Sequence, residues 1–312
     1  MRIGFGLPHT GPAATPENVV KVARRAEELG YDSLWVSERL LYPVAPQTRY
    51  AGTPDGALPD PYRHNLAPLE CLTYVAALTE RIALGTGVLV TPYYNPVVLA
   101  RSLTALDVLS GGRLRVGLGL GWSKDEYDAA GATMKARGRR ATEFIQVLLA
   151  TWTTDPAEFQ GEFFHLPKSI IQPKPVQKPH PPIYLAAYAP GALQRAATLA
   201  DGWMPVGVPL RAMTRMWGSL QDLARQAGRD PTGLKLAVRA NFTLTEQPLG
   251  EKRWLFNGSP GEIQADVAAV RDLGAHEIIF DPTFSPDGAT VEGFLRTMEQ
   301  MQALAEAAGA AR

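Results

Sequence analysis

Two opposite charges, Glu38 and Arg39, directly follow residues 33–37, an apolar segment that reads as a buried strand. A carboxyl group at such a strand end can donate or accept a proton. An arginine stays protonated at neutral pH, so it holds an anion rather than acting as a base. His9 follows the first apolar segment in the same way, and Tyr93 follows the third. We therefore take Glu38, Arg39 and His9 as the candidate catalytic residues.

Each of these residues also has a structural interpretation. Glu38 and Arg39 could form an ion pair with each other or point into the loop that follows. His9 and Tyr93 could pack against a lid rather than reach a substrate. Glu126, in the stretch WSKDEY, is expected on the solvated face of a helix.

Other chemistries find no support in the sequence. The five histidines lack partners at metal-ligand spacing, and no GxSxG elbow or Walker-type loop is present. The single cysteine, Cys71, permits no intramolecular disulfide and is expected in the core. Equal numbers of acidic and basic residues, 31 each, argue against a nucleic-acid partner or an anionic membrane surface. With no apolar window long enough to cross a membrane, we expect a soluble, cytoplasmic protein.

Short apolar segments alternate with amphipathic ones along all 312 residues. Strands are predicted at residues 3–7, 33–37, 82–90, 114–118, 183–186, 202–206, 234–244 and 277–280. Helix boundaries are marked by Thr15 with Pro16, by Gly30, and by a capping box from Ser259 to Glu262. Eight strand–helix units predict a single (β/α)8 TIM barrel domain, with a doubly wound open sheet as the alternative.

Two long segments exceed a minimal barrel. One follows the second strand at residues 39–68, and the other precedes the fifth strand at residues 153–182. Long connections in a compact domain are usually functional, so we interpret both as ordered lid or partner segments.

The strand exits are rich in glycine, which lets a ligand approach the backbone closely. The stretch AAYAPG joins the fifth strand to a helix with Pro190 near its start, where free N–H groups can receive a phosphate. It could also be a plain connection. The stretch GLGLGW contains no intact dinucleotide-binding fingerprint. Together these exits suggest an extended, flat ligand at the barrel mouth.

Several long stretches resemble the bacterial luciferase-like family of flavin- and deazaflavin-dependent oxidoreductases. They are AEELGYDSLWVSE (26–38), LTERIALGTGVLVTPYYNPVVLA (78–100), LDVLSGGRLRVGLGLGWSKDEYDAAG (106–131), KPVQKPHPPIYLAA (174–187) and LADGWMPVG (199–207). Within that family the sequence is most similar to the branch that uses the deazaflavin F420. The resemblance implies a TIM barrel with the cofactor ring in its mouth, a cis Gly87–Val88 peptide bond behind the ring, and a phosphate site at residues 188–191. The implied cofactor-binding residues are Gly87, Val88, Gly119, Gly121, Trp122, Ala187, Tyr188, Ala189, Pro190 and Gly191.

Members that oxidise sugar phosphates carry a histidine base where this sequence has Arg39, and an acid where it has Trp122. The resemblance therefore implies a reductase, in which reduced F420 delivers hydride to an enone, an imine or another electrophilic double bond. An FMNH2-dependent monooxygenase of the same fold is the first alternative, and a non-catalytic cofactor-binding relative is the second. The family also implies a homodimer and a small-molecule substrate. No metal site is expected, because the histidines lack partners at metal-ligand spacing.

Overall fold

The computed structural model describes residues 1–310 and contains a closed barrel of eight parallel strands. The strands are Arg2–Gly6, Ser33–Val36, Ala83–Thr86, Leu114–Gly119, Ile183–Leu185, Gly202–Trp203, Lys235–Asn241 and Glu277–Asp281. Each strand pairs with the next, the third pairs with the fourth through Leu84 and Leu114, and the first closes the ring on the eighth through Arg2 and Glu277. The predicted (β/α)8 barrel is confirmed. The last two residues of the predicted 1–312 domain lie outside the described residues.

Nine helices are present in the described residues. They are α1 (Pro16–Leu29), α2 (Pro68–Ala76), α3 (Pro96–Leu109), α4 (Lys124–Ala129), α5 (Arg137–Thr153), α6 (Pro190–Leu199), α7 (Leu210–Gln226), α8 (Pro260–Asp272) and α9 (Val291–Ala307). The predicted end signals are present: Thr15 caps α1, Gly30 ends it at φ 83°, and Ser259 and Glu262 form the capping box of α8. Within residues 1–310 no helix is long and apolar enough to cross a membrane.

The barrel interior is filled by two large rings, Trp35 and Tyr184, whose centroids lie 6.2 Å apart. Glycines opposite them provide the room, since a Cβ at Gly85 would overlap the Trp35 ring and one at Gly202 would lie 2.7 Å from Tyr184. Near the closed end of the barrel a buried ion pair joins Arg115 to Glu277 at 2.5 Å. The interior is therefore a packed core, and the strands' carboxyl ends form the mouth, where barrels of this kind place their active sites.

Three predicted strands differ from the structure by more than one residue in length. The third ends at Thr86, because the Gly87–Val88 peptide bond is cis and pairing resumes only at Leu89–Val90. This is the cis bond that the family resemblance implies. The sixth and seventh strands, predicted at 202–206 and 234–244, are shorter and cover Gly202–Trp203 and Lys235–Asn241.

The two insertions occupy different places. Residues 39–68 run across the mouth of the barrel and contain one turn of 3-10 helix, Asp60–Arg63. Residues 153–182 contain a hairpin, Ala157–Gln160 with His165–Ser169, and its turn is fixed to α5 by three backbone N–H groups that donate to Glu143. The segment then returns below the barrel, where the Gln177 side chain donates to the Leu114 carbonyl.

Candidate active site

Small residues form one side of the barrel mouth. Side chains along a strand point alternately into and out of the barrel. Gly87 and Gly119 are at inward positions where the third and fourth strands end. Val88 packs against the interior cluster that contains Trp35 and Tyr184. A Cβ at Gly119 would approach Val88 Cγ2 to 2.6 Å. Gly119 therefore leaves Val88 free to present its face to the mouth.

Glu38 is held at the exit of the second strand by two donors. Its carboxylate accepts from the Tyr94 hydroxyl and, at 2.6 Å, from the backbone N–H of Val90. Burial raises the pKa of this carboxyl to about 7, because desolvation outweighs both hydrogen bonds, and the nearby Glu126 raises it further. Glu38 is thus a carboxylic acid poised to exchange a proton near neutral pH.

Arg39 pairs with Glu126 rather than with Glu38. Its Nη2 donates to Glu126 Oε2, and the two side chains are only 7% and 2% exposed. Glu126 also accepts from the Leu40 backbone N–H at 2.7 Å and from the Tyr93 hydroxyl at 2.9 Å. The prediction that Glu126 lies on a solvated helix face is wrong: α4 turns this residue inward, where it is the counter-ion of a buried arginine.

Aromatic rings enclose the Arg39 guanidinium. Its central carbon lies 4.8 Å from the Tyr62 ring centroid and 4.7 Å from that of Trp122. Tyr50 packs on both rings, at 5.8 Å from Tyr62 and 5.2 Å from Trp122. The guanidinium Nε is buried without a hydrogen-bond partner. Residues 39–68 are therefore anchored to the mouth by a cation held between two rings.

His9 joins the exits of the first two strands. It is 1% exposed, Nδ1 lies 2.9 Å from the Leu7 carbonyl, and Nε2 accepts the Ser37 backbone N–H at 2.8 Å. Burial lowers its pKa, so the neutral ring donates from Nδ1 and accepts at Nε2. Both nitrogens are thus engaged with backbone, and a proton-donor role for His9 stays a prediction.

A second buried ion pair at the mouth was not predicted. Arg239, on the seventh strand, donates to Asp281 on the eighth and also to the Gly87 carbonyl of the cis peptide bond. Asp281 also accepts from the Thr283 backbone N–H at 2.9 Å. Burial alone would lower the pKa of Arg239, but Asp281 raises it. The sequence feature that could have predicted this pair is Arg239 itself, a charged residue at an inward position of the apolar strand Lys235–Asn241.

The first turn of α6 is open to a ligand. Pro190 begins the helix after Ala189, which has no side chain that could cap it, and residues 188–191 are exposed. The Tyr188 hydroxyl accepts from the Val206 N–H at 3.3 Å, and the Trp203 indole donates to the Ala187 carbonyl at 2.8 Å. Free N–H groups at a helix start favour an anion such as a phosphate.

The remaining predicted cofactor positions line the same mouth. Gly121 adopts a left-handed conformation at φ 68°, and its missing Cβ would lie 2.6 Å from Val90 Cγ1. Trp122 follows it and stacks on Arg39. Two polar atoms of nearby residues, Asn241 Oδ1 and Thr283 Oγ1, are buried without hydrogen-bond partners.

A family model described as luciferase-like monooxygenase matches residues 1–249 of this sequence. The chain belongs to that family. Membership confirms the predicted family and its class, an oxidoreductase. Within this luciferase-like family, the uncharacterized protein Rv0953c of Mycobacterium tuberculosis (strain ATCC 25618 / H37Rv) is 37% identical over 243 residues, which cover 73% of this chain and 85% of that protein.

Another relative is the F420-dependent glucose-6-phosphate dehydrogenase of Kineococcus radiotolerans, 27% identical over 316 residues that cover 85% of this chain and 87% of that protein. Among solved structures, monooxygenase RslO1 from Streptomyces bottropensis has a TM-score of 0.79 at 23% identity, covering 97% of this chain and 98% of that one. An F420-dependent secondary alcohol dehydrogenase in complex with an F420–acetone adduct has a TM-score of 0.75 at 17% identity and covers 97% of this chain and 99% of that one. These structures share the fold of this luciferase-like chain.

Proposed function

We propose that this protein is an F420-dependent reductase that acts on an electrophilic C=C or C=N bond of a small organic molecule. The observation that carries the proposal is the place of Glu38, a partly buried carboxyl at a strand exit of the mouth that accepts from Tyr94 and from the Val90 N–H. Desolvation raises its pKa to about 7. The two resemblances to F420-dependent proteins, one by sequence and one by fold, support the choice of cofactor.

The residues at the mouth fit such a cofactor. A flat ring needs a seat without large side chains, and Gly87, Val88 and Gly119 provide one above the filled interior. The cofactor's phosphate needs a free N–H group, and the uncapped start of α6, where Pro190 itself has none, would offer that of Gly191. Gly121 and Trp122 would border the ring from the fourth strand, and Ala187, Tyr188 and Gly191 would flank the phosphate. Reduced F420 supplies hydride when it is bound.

The protein's own residues would then supply the proton. Reduction of a C=C or C=N bond requires a proton as well as a hydride, and a carboxyl with a pKa near 7 is well matched to donate it. Tyr94 and the Val90 N–H orient the carboxyl, and both hydrogen bonds favour the carboxylate that remains after the proton has left. Arg39 places a fixed positive charge beside this acid, which would stabilise negative charge that develops on the substrate.

The same geometry argues against oxidation of a sugar hydroxyl. That reaction needs a base, and Arg39 stands at the position that the base occupies in the sugar-phosphate dehydrogenases of this family. Its guanidinium pairs with Glu126 and lies over two aromatic rings. A guanidinium in such a place cannot accept a proton.

The test is an anaerobic assay with reduced F420 and 2-cyclohexen-1-one, in which the return of oxidised F420 is followed by its absorbance. Enzyme-dependent oxidation of the cofactor with formation of cyclohexanone supports the proposal. A range of cyclic enones and imines should be included because the segment at 39–68, which crosses the mouth, would shape the substrate pocket. Turnover that requires molecular oxygen would contradict it.

An FMNH2-dependent monooxygenase is the second candidate, and the description of the matching family model favours it. It would use the same seat for the ring and the same helix start for the phosphate. Parallel assays with FMNH2 and oxygen, in the presence of a flavin reductase, separate the two candidates. A protein that binds neither cofactor would instead be a non-catalytic relative.

A further inference from the structure

The start of α5 and the residues just before it are strongly basic. Lys135, Arg137, Arg139 and Arg140 fall within six residues, and no acidic residue lies in the first turn of the helix. Cations at a helix N-terminus oppose the helix dipole, which favours negative charge there. The preceding residue, Ala136, has φ 55° and no side chain that could cap the helix. The residues at this position are therefore unfavourable for the start of a helix. Local choices that lower stability are common where residues serve a function.

Few carboxylates neutralise this surface. Within residues 1–310, the only salt bridge of these four cations joins Arg139 to Glu162 at 2.5 Å, with side chains 68% and 54% exposed. Arg140 lies over the rings of Phe163 and Phe164 instead. The neighbouring carboxylate of Glu143 accepts backbone N–H groups of the hairpin turn and adds a negative charge near Arg139, so two carboxylates face four cations. The surface therefore carries a net positive charge.

This basic turn lies beside the proposed phosphate site. Arg195 of α6 donates to the Gly138 carbonyl at 2.8 Å and forms no salt bridge in the described part of the chain. Burial lowers the pKa of Arg195. A cavity of about 20 Å³ is lined by Ala141 of α5 and by Ala192 of α6, both near the starts of their helices. The starts of α5 and α6 thus lie close to each other, and the positive charge of Arg195 lies between the two helices.

We propose that Lys135, Arg137 and Arg139 bind the anionic tail of F420, a chain of glutamate residues that follows the cofactor's phosphate. A phosphate at the start of α6 would direct the tail over the first turn of α5. The proposal rests on the proposed function, since FMN ends at its phosphate and has no such tail. Carboxylates arriving at this turn would also offset the unfavourable charge on the helix dipole.

The test compares binding of three ligands to the cofactor-free protein by calorimetry: F420 with several glutamates, its form without glutamates, and FMN. The long-tailed form should bind about tenfold more tightly than the form without glutamates at low salt, as a few partly exposed ion pairs would give. That advantage should disappear at 0.5 M salt, where charges on the surface are screened over about 4 Å.

The double variant Lys135→Gln/Arg137→Gln should lose the preference for the long tail and keep its affinity for the form without glutamates. The matched control is Lys21→Gln/Arg24→Gln on the exposed face of α1, on the other side of the barrel, which should behave like the parent. Because the removed charges oppose the helix dipole, the double variant should unfold at the same temperature as the parent or higher.

Equal affinity of the parent for the two F420 forms, or an unchanged preference in the double variant, would overturn this inference and leave the proposed function standing. Binding of FMN with no binding of either F420 form would overturn both.

Discussion

Arg39 and Glu126, 87 residues apart in the sequence, form a buried ion pair at the barrel mouth. The pair joins the exit of the second strand to α4, and Glu126 also binds the backbone at Leu40. It fixes the start of the segment 39–68 and places a permanent positive charge next to Glu38. The acid and the cation of the proposed reductase are thus neighbours in the chain with separate partners: Tyr94 donates to Glu38, and Arg39 pairs with Glu126.

Removing one partner of this pair should destabilise the protein strongly. Glu126→Gln keeps the size of the side chain but leaves Arg39 buried without a counter-ion, so we expect a loss of about 3 kcal/mol in the free energy of unfolding. Urea denaturation measures it. The control is Glu162→Gln, which breaks the exposed pair with Arg139 and should cost less than about 1 kcal/mol. Similar losses in the two variants would mean that the buried pair contributes no more to the free energy of unfolding than the exposed one.

The Glu38 carboxyl should control the pH dependence of reduction. With a pKa of about 7, it is half protonated at pH 7, and the protonated fraction falls tenfold per unit at higher pH. We therefore expect kcat/KM to fall above pH 7 in the parent. Glu38→Gln should lower kcat by about 100-fold and abolish this alkaline limb. A variant that keeps the parent's rate and profile would show that the proton comes from elsewhere.

Tyr94→Phe should move the same limb to higher pH. The Tyr94 hydroxyl donates to the Glu38 carboxylate and thereby lowers its pKa. Without this donor the pKa of Glu38 should rise further, because burial raises it and one of the opposing hydrogen bonds is gone, so the acid stays protonated at higher pH. The measurement is the pH profile of kcat/KM over the alkaline range. A shift to lower pH would contradict the hydrogen-bond direction assigned to this pair.

Gly119→Ala should weaken cofactor binding. The added methyl would lie 2.6 Å from Val88 Cγ2, so Val88 must shift into the space where the ring is proposed to bind. A cost of about 1–2 kcal/mol corresponds to roughly a tenfold higher Kd. Gly218→Ala, on α7 with open space around the added Cβ, is the control. Unchanged F420 affinity in the Gly119 variant would place the ring elsewhere.

The parent should not oxidise glucose 6-phosphate with oxidised F420, although a relative is named for that reaction. The base position is occupied by Arg39, whose charge is held by Glu126. The assay follows loss of oxidised F420 in the presence of the sugar phosphate, beside the enone assay as a check that the enzyme is active. Efficient sugar-phosphate oxidation would show that our interpretation of Arg39 is wrong.

The sequence predicted those features whose causes are local. Thr15, Gly30 and Ser259 act on backbone within four residues, so their roles in helix ends could be inferred directly. The barrel followed from eight repeats of strand and helix.

Long-range features were harder to predict. Glu126 stands in a polar stretch next to exposed Lys124, and only the return of the chain at Arg39 makes its burial favourable. Arg239 likewise finds Asp281 and the Gly87 carbonyl only when the barrel closes. Such contacts between distant residues leave little trace in a single sequence.

The central claim is that this protein uses F420, and a binding titration tests it most directly. Purified cofactor-free protein is titrated separately with F420 and with FMN, and the intrinsic fluorescence of Trp122 and the other tryptophans is followed. We predict that F420 binds at micromolar concentration or below and at least about tenfold more tightly than FMN. Tighter binding of FMN would contradict the claim and would identify the protein as a candidate flavin monooxygenase.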